Sequence, residues 1–65
     1  MKMLVSRLCH VDQRNCPELY HDPGQKPEKE IIIHDDFGQS VRMSRAQLGV
    51  LVTQAKDGKF DDVVE

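Results

Sequence analysis

Several features that would assign a function class are missing from this chain. Its 65 residues include only two cysteines, too few for the dense disulfide framework of a small secreted domain. No apolar run approaches the roughly 18 residues that a membrane-spanning helix needs, and the apolar start at residues 3–5 is too short for a signal peptide. We therefore expect a cytoplasmic protein without a membrane segment.

An excess of positive charge is also missing. Nine basic residues face 11 acidic ones, which gives a formal net charge of -2. A nucleic-acid-binding domain normally shows a basic footprint. We therefore expect that nucleic acid is not a direct partner.

The chain is too short for most enzymes. We expect a single domain over residues 1–65, which buries only about 60% of the surface of its unfolded form. A catalytic pocket typically needs about 300 Å³ or more, and one small sheet with one helix offers little concave volume. We expect no catalysis and no cofactor, although the chain has side chains of the nucleophile and base types: Cys16, His21, His34, Asp35 and Asp36.

Alternating apolar and β-branched residues predict an antiparallel sheet. The predicted strands cover residues 3–11, 16–21, 31–34 and 39–43. A polar turn is expected at residues 12–15 and a loop with a Pro-Gly turn at residues 22–29. Pro17 has no backbone N–H, so it fits only the start or edge of the second strand.

The register of the last two strands follows from their apolar residues. A three-residue loop ending at Gly38 places apolar residues opposite one another on one face: Ile33 with Val41 and Ile31 with Met43. That loop type requires a left-handed residue, which Gly38 supplies. The other face, which we expect to be open, then carries Ile32, His34, Ser40 and Arg42.

A helix is predicted from about residue 45 to residue 56. Ser44 and Gln47 form a capping-box pattern at its start, and Gly58 is a suitable C-terminal cap. An apolar stripe is expected to face the sheet: Leu48, Leu51, Val52 and Ala55. Phe60 is expected to fold back as a plug, and residues 61–65 are expected to fray. The fold class is thus α+β, a small antiparallel sheet of three to four strands with one C-terminal helix packed on one face.

A zinc-stapled domain is one alternative, because Cys9, Cys16 and His21 are zinc-type ligands within a short stretch. Their spacing contains no C-x-x-C or H-x-x-x-H pair, so we assign no metal site. We interpret the cysteines as small buried hydrophobes or stray thiols instead. A Cys9–Cys16 disulfide is geometrically possible if the first two strands form a hairpin, but a cytoplasmic setting disfavours it. The sequence alone does not decide whether the two cysteines are free, paired or metal-bound.

A direct nucleic-acid-binding domain is another alternative. Arg42, Arg45 and Gln47 cluster where the last strand meets the helix, and they could contact phosphates there. The neighbouring acidic residues weaken any positive field.

Exposed apolar groups favour a protein partner instead. Ile32 is expected outside the core, Val50 off the helical stripe, and Tyr20 on a short edge strand. Together with the polar residues of the open face, they form the predicted protein-binding set: Tyr20, Ile32, His34, Arg42 and Val50. A homodimer is one form that this interaction could take.

Residues 16–61 resemble a known family. The matching segments are Cys16, residues 31–36, residues 41–44, residues 48–52, and the closing Lys-x-Gly-x-Phe-Asp pattern at residues 56–61. They are similar to small actinobacterial regulatory domains that are often encoded beside helix-turn-helix regulators. The aromatic helix positions of that family are leucines here. The resemblance implies a cytoplasmic, non-catalytic accessory protein that binds and modulates a DNA-binding transcription regulator.

Overall fold

The structure, a computed structural model, describes residues 1–10 and 14–64. Its elements in chain order are β1 (Met3–Arg7), β2 (Glu18–His21), a short 3-10 helix η1 (Pro27–Lys29), β3 (Ile31–His34), β4 (Ser40–Met43) and α1 (Arg45–Lys56). The four strands form one antiparallel sheet in the order β1-β2-β3-β4. The predicted α+β class, an antiparallel sheet followed by one helix, is confirmed.

The β3–β4 hairpin has the predicted register, with Ile33 opposite Val41 and Ile31 opposite Met43. The backbone N–H of Asp35 donates to the carbonyl of Gln39 at 2.9 Å, and Gly38 has a φ of 92°. Asp35 Oδ1 accepts the backbone N–H groups of Gln39 and Phe37, both at 2.9 Å. Because these bonds favour the carboxylate, they hold the pKa of Asp35 below its ordinary 3.8.

Helix α1 has the predicted bounds, and both its caps are formed. Ser44 Oγ accepts the Gln47 backbone N–H at 3.1 Å, while Gln47 Oε1 accepts the Ser44 N–H at 2.9 Å. At the other end, Gly58 has a φ of 82° and its N–H donates to the Ala55 carbonyl. Phe60 is half-buried, and its packing onto the sheet as a plug stays a prediction.

The apolar stripe of α1 is not buried, although the sequence predicted that it faces the sheet. No residue of α1 is buried; Leu51 is 42% exposed and Val52 is 44% exposed. The most extensive contacts between elements join neighbouring strands, and η1 with β4. The helix therefore adds little to the core.

The buried apolar residues of the described part are Cys16, Ile31 and Ile32, with Ile32 only 1% exposed. The expectation that Ile32 lies outside the core is wrong. Arg42 pairs with Ile32 and shares its face, and Arg42 Nη1 donates to the Lys29 carbonyl at 3.3 Å. The segment around η1 therefore lies across this face, whereas the sequence suggested only a loop.

The connection between β1 and β2 is tighter than predicted. A disulfide joins Cys9 to Cys16, and the backbone N–H of Leu8 donates to the Pro17 carbonyl at 2.8 Å. Strand β1 ends at Arg7, so residues 8–10 of the predicted strand are not part of it, and residue 11 lies outside the described residues. Strand β2 begins at Glu18, after the proline. Part of the predicted turn at residues 12–15, and the last residue of the predicted frayed end, lie outside the described residues.

Candidate interaction surface

One face of the sheet brings together most of the predicted protein-binding residues. The register aligns Tyr20, Ile32 and Arg42 across three strands, with Leu4 of β1 next to Tyr20. His34 lies two residues from Ile32, so it points to the same side. We call this surface, made of Leu4, Tyr20, His34 and Arg42 around the buried Ile32, the Tyr20 face; Ile32 itself is 1% exposed and supports the surface from below. Val50 is separate from it, on α1, and is 54% exposed.

An aromatic and cationic cluster occupies the Tyr20 face. The rings of Tyr20 and His34 meet edge to face, with centroids 5.2 Å apart. Lys2 Nζ lies 4.5 Å from the centroid of the Tyr20 ring and 3.0 Å from His34 Nε2. A cation over an aromatic face is attracted by the ring quadrupole. Lys2 is not among the residues predicted from the sequence, because no local pattern links residue 2 to the second and third strands.

The hydroxyl of Tyr20 is also held in place. It donates to Glu18 Oε1 at 2.8 Å, and Glu18 Oε2 lies 3.1 Å from Arg7 Nε. The hydrogen bond to Glu18 stabilises the neutral phenol and so raises the pKa of Tyr20 above its ordinary 10.0. Both ends of the Tyr20 side chain are therefore fixed before any partner binds.

The composition of the Tyr20 face resembles that of binding hot spots. Tyrosine and arginine are enriched among the residues that dominate interface energies. Leu4 adds an apolar side chain that is 50% exposed, while Tyr20 is half-buried and Arg42 is exposed. A rigid aromatic group beside exposed apolar and cationic groups can provide both burial and orientation at an interface.

Two of the three candidate nucleic-acid-binding residues make hydrogen bonds within the chain. Arg42 donates to the Lys29 carbonyl, and the Gln47 side chain closes the capping box. Arg45 is exposed at the helix start. Phosphate contact through this group stays a prediction.

The candidate zinc ligands are not gathered into a site. Cys9 and Cys16 are joined to each other, while His21 Nε2 lies 2.6 Å from Glu30 Oε2. Across residues 1–10 and 14–64, no three His, Cys, Asp or Glu side chains are grouped so that they could hold a metal ion. The zinc-stapled alternative therefore has no ligand set in the described part of the chain.

A shallow depression lies beside the β3–β4 hairpin. Its volume is about 140 Å³, and it is lined by Ile33, Asp35, Gln39, Ser40 and Val41. Small-molecule pockets commonly measure about 300–1,000 Å³. The Asp35 carboxylate at its edge is already bonded to the hairpin backbone.

Within the described residues, no helix has the length and the apolar character needed to cross a membrane. The chain matches no protein-family model, and comparison with curated proteins and with solved structures gives no significant match.

Proposed function

We propose that this chain is a non-catalytic protein-interaction module. The observation that supports this most is its exposed surface of 5299 Å². A folded monomer of 7.5 kDa is expected to expose about 4,200 Å². The excess of about 1,000 Å² is comparable to the roughly 800 Å² that each partner contributes to an interface of standard size.

The dimensions of the chain agree with this excess. Its radius of gyration is 12.8 Å, whereas a compact domain of this length has one of about 10.7 Å. Much of the exposed surface is apolar, since these large side chains are among those at least 42% exposed: Met3, Leu4, Val5, Leu8, Phe37, Val41, Val50, Leu51 and Val52. A small domain with so few buried apolar residues gains stability when a partner covers part of this surface.

The Tyr20 face is the proposed contact surface. Three cations lie on or beside this face, Lys2, Arg7 and Arg42, and they outnumber the neighbouring carboxylate of Glu18. The face therefore favours a partner that presents acidic groups beside an apolar group that can cover Leu4. The resemblance of residues 16–61 favours a DNA-binding transcription regulator as that partner, with this chain as its modulator.

A cytoplasmic location is part of the proposal, and the disulfide bears on it directly. Structural disulfides persist in oxidising compartments and are rare in the cytosol. Trapping the thiols with an alkylating reagent in intact cells will show whether Cys9 and Cys16 are joined there. Free thiols in the cell would favour the cytoplasm, and a fully oxidised pair would contradict it.

Co-expression with candidate regulators, followed by purification through a tag on either protein, tests the function. We expect a stoichiometric complex that survives purification in both directions. If no protein is retained and the chain instead binds DNA or RNA with a steep salt dependence that Arg45→Ala weakens, the direct nucleic-acid alternative is correct.

A further inference from the structure

We propose that helix α1 pairs in antiparallel orientation with α1 of a second copy of the chain, so that the module is a symmetric homodimer. This inference rests on the proposed function, because both account for the same excess of exposed surface. The proposed dimer interface is α1, however, so the Tyr20 face stays free for a different protein.

The helix has the surface that such a pairing needs. No charged residue occurs between Arg45 and Lys56, its two ends, and none of its residues is buried within the chain. Its apolar stripe has the i, i+3, i+4, i+7 spacing that forms the seam between two paired helices: Leu48, Leu51, Val52 and Ala55. Leu51, Val52 and Ala55 are exposed and Leu48 is half-buried, and apolar side chains at these positions gain free energy when a second helix covers them.

The stripe is symmetric about the midpoint between Leu51 and Val52. A two-fold axis through that midpoint places Leu51 against the partner's Val52, and Val52 against the partner's Leu51. It also places Leu48 against the partner's Ala55. A stripe that matches itself in the antiparallel direction fits the isologous interface of a C2 dimer.

The charges at the ends of the helix fit the same register. Arg45 comes opposite the partner's Gly58, where the chain leaves the helix. Within each chain the carboxylate of Asp61 lies over Gly58, since its Oδ2 is 2.9 Å from where a Cβ on Gly58 would sit. Each Arg45 therefore meets an acidic group and the negative end of the partner's helix dipole, and symmetry forms this contact twice. The match of Arg45 with the partner's Asp61 and helix C-terminus, in the register that aligns the two stripes, favours a second copy as the occupant of the stripe.

Sedimentation equilibrium from micromolar to millimolar concentration tests the dimer. For the unmodified chain we expect twice the monomer mass of 7.5 kDa. Leu51→Glu should raise the dissociation constant roughly 100-fold or more, because it buries a charge at the centre of the seam. Thr53→Glu is the matched control: it is also exposed, lies on the opposite side of α1, and should leave the dimer intact.

A charge exchange tests the register independently of folding. Arg45→Glu should weaken the dimer, and adding Asp61→Lys to it should restore affinity, because the contact is then re-formed with reversed signs. Circular dichroism of each variant reports whether α1 is still helical.

The outcomes separate the dimer from the function. A chain that stays monomeric at every concentration, or a dimer that Leu51→Glu leaves unchanged, overturns the α1 pairing. If such a chain still binds another protein through the Tyr20 face, the proposed function stands without it. If it dimerises as expected but binds no other protein, the dimer stands and the modulator function fails.

Discussion

The rings of Tyr20 and His34 meet edge to face across β2 and β3, with their planes at 75°. The two residues are diagonal neighbours, since Tyr20 pairs with Ile32 and His34 pairs with Glu18. Lys2 reaches both rings from the start of β1. The residue before β1 thus completes a cluster whose aromatic members lie on the two following strands.

A double-mutant cycle measures the contact between Lys2 and Tyr20. With Lys2→Met and Tyr20→Leu, we expect a coupling free energy of about 0.5–1 kcal/mol in urea unfolding, as for other exposed cation–π pairs. The same cycle between Lys2→Met and Phe37→Leu should give a coupling near zero, because Phe37 lies in the β3–β4 loop. Equal coupling in both cycles would contradict the contact.

Two glycine substitutions should have opposite effects on stability. Gly38→Ala should destabilise the fold by about 1 kcal/mol, because a side chain is strained at a φ of 92°. Gly49→Ala should stabilise it by about 0.5–1 kcal/mol, since the new methyl group meets no atom within 4 Å and the unfolded chain loses freedom. Urea unfolding of both variants checks the signs, and a stable Gly38→Ala protein would argue against the hairpin loop.

The Ser44 cap should contribute measurably to stability. Ser44→Ala removes the acceptor for the Gln47 backbone N–H and should cost about 1 kcal/mol. Ser40→Ala, in the adjacent strand, is the control and should cost less. Helical circular dichroism at 222 nm, followed during unfolding, distinguishes a frayed helix from global loss of structure.

The disulfide should stabilise the chain by constraining its unfolded state. For a loop closed by cysteines seven residues apart, the chain-entropy relation gives about 2.5 kcal/mol. The variant carrying Cys9→Ser and Cys16→Ser should lose roughly that amount, and a reductant should then leave its unfolding midpoint unchanged. If the unmodified chain is equally insensitive to reductant, the disulfide is not formed.

Acid should weaken the β3–β4 hairpin through Asp35. Because the folded-state pKa of Asp35 is lowered, its contribution is fully present above the ordinary value of 3.8. It is lost as the pH falls through the lower folded-state value. Asp35→Asn should therefore reduce the loss of stability that the unmodified chain shows below pH 3.8. Asp36→Asn should leave that loss unchanged. Urea midpoints measured across the acid range give the comparison.

The sequence predicts the second half of the chain well because its local signals agree. The three-residue loop, Gly38, the apolar pairing and the Ser44–Gln47 cap all specify the same hairpin and helix. Each signal acts over a few residues, so no distant contact is needed to interpret it.

The first half and the burial pattern depend on distant contacts, which the sequence does not display. A disulfide joins Cys9, two residues beyond the end of β1, to Cys16, and the η1 segment lies across the face of Ile32. A periodic pattern also identifies the apolar side of α1 without showing whether anything covers it. The sequence grouped Tyr20, His34 and Arg42 in one binding set but placed Tyr20 on an edge strand, whereas β2 lies between β1 and β3. Lys2 and Glu18 were found only in three dimensions.

The most direct test of the account compares the affinities of Tyr20→Ala and Phe37→Ala for the co-purified partner by isothermal titration calorimetry. Both variants remove an aromatic ring, but Phe37 is 75% exposed and lies outside the Tyr20 face. We predict that Tyr20→Ala weakens binding at least tenfold, or about 1.4 kcal/mol, while Phe37→Ala leaves it unchanged. Unchanged binding by a folded Tyr20→Ala protein would contradict it.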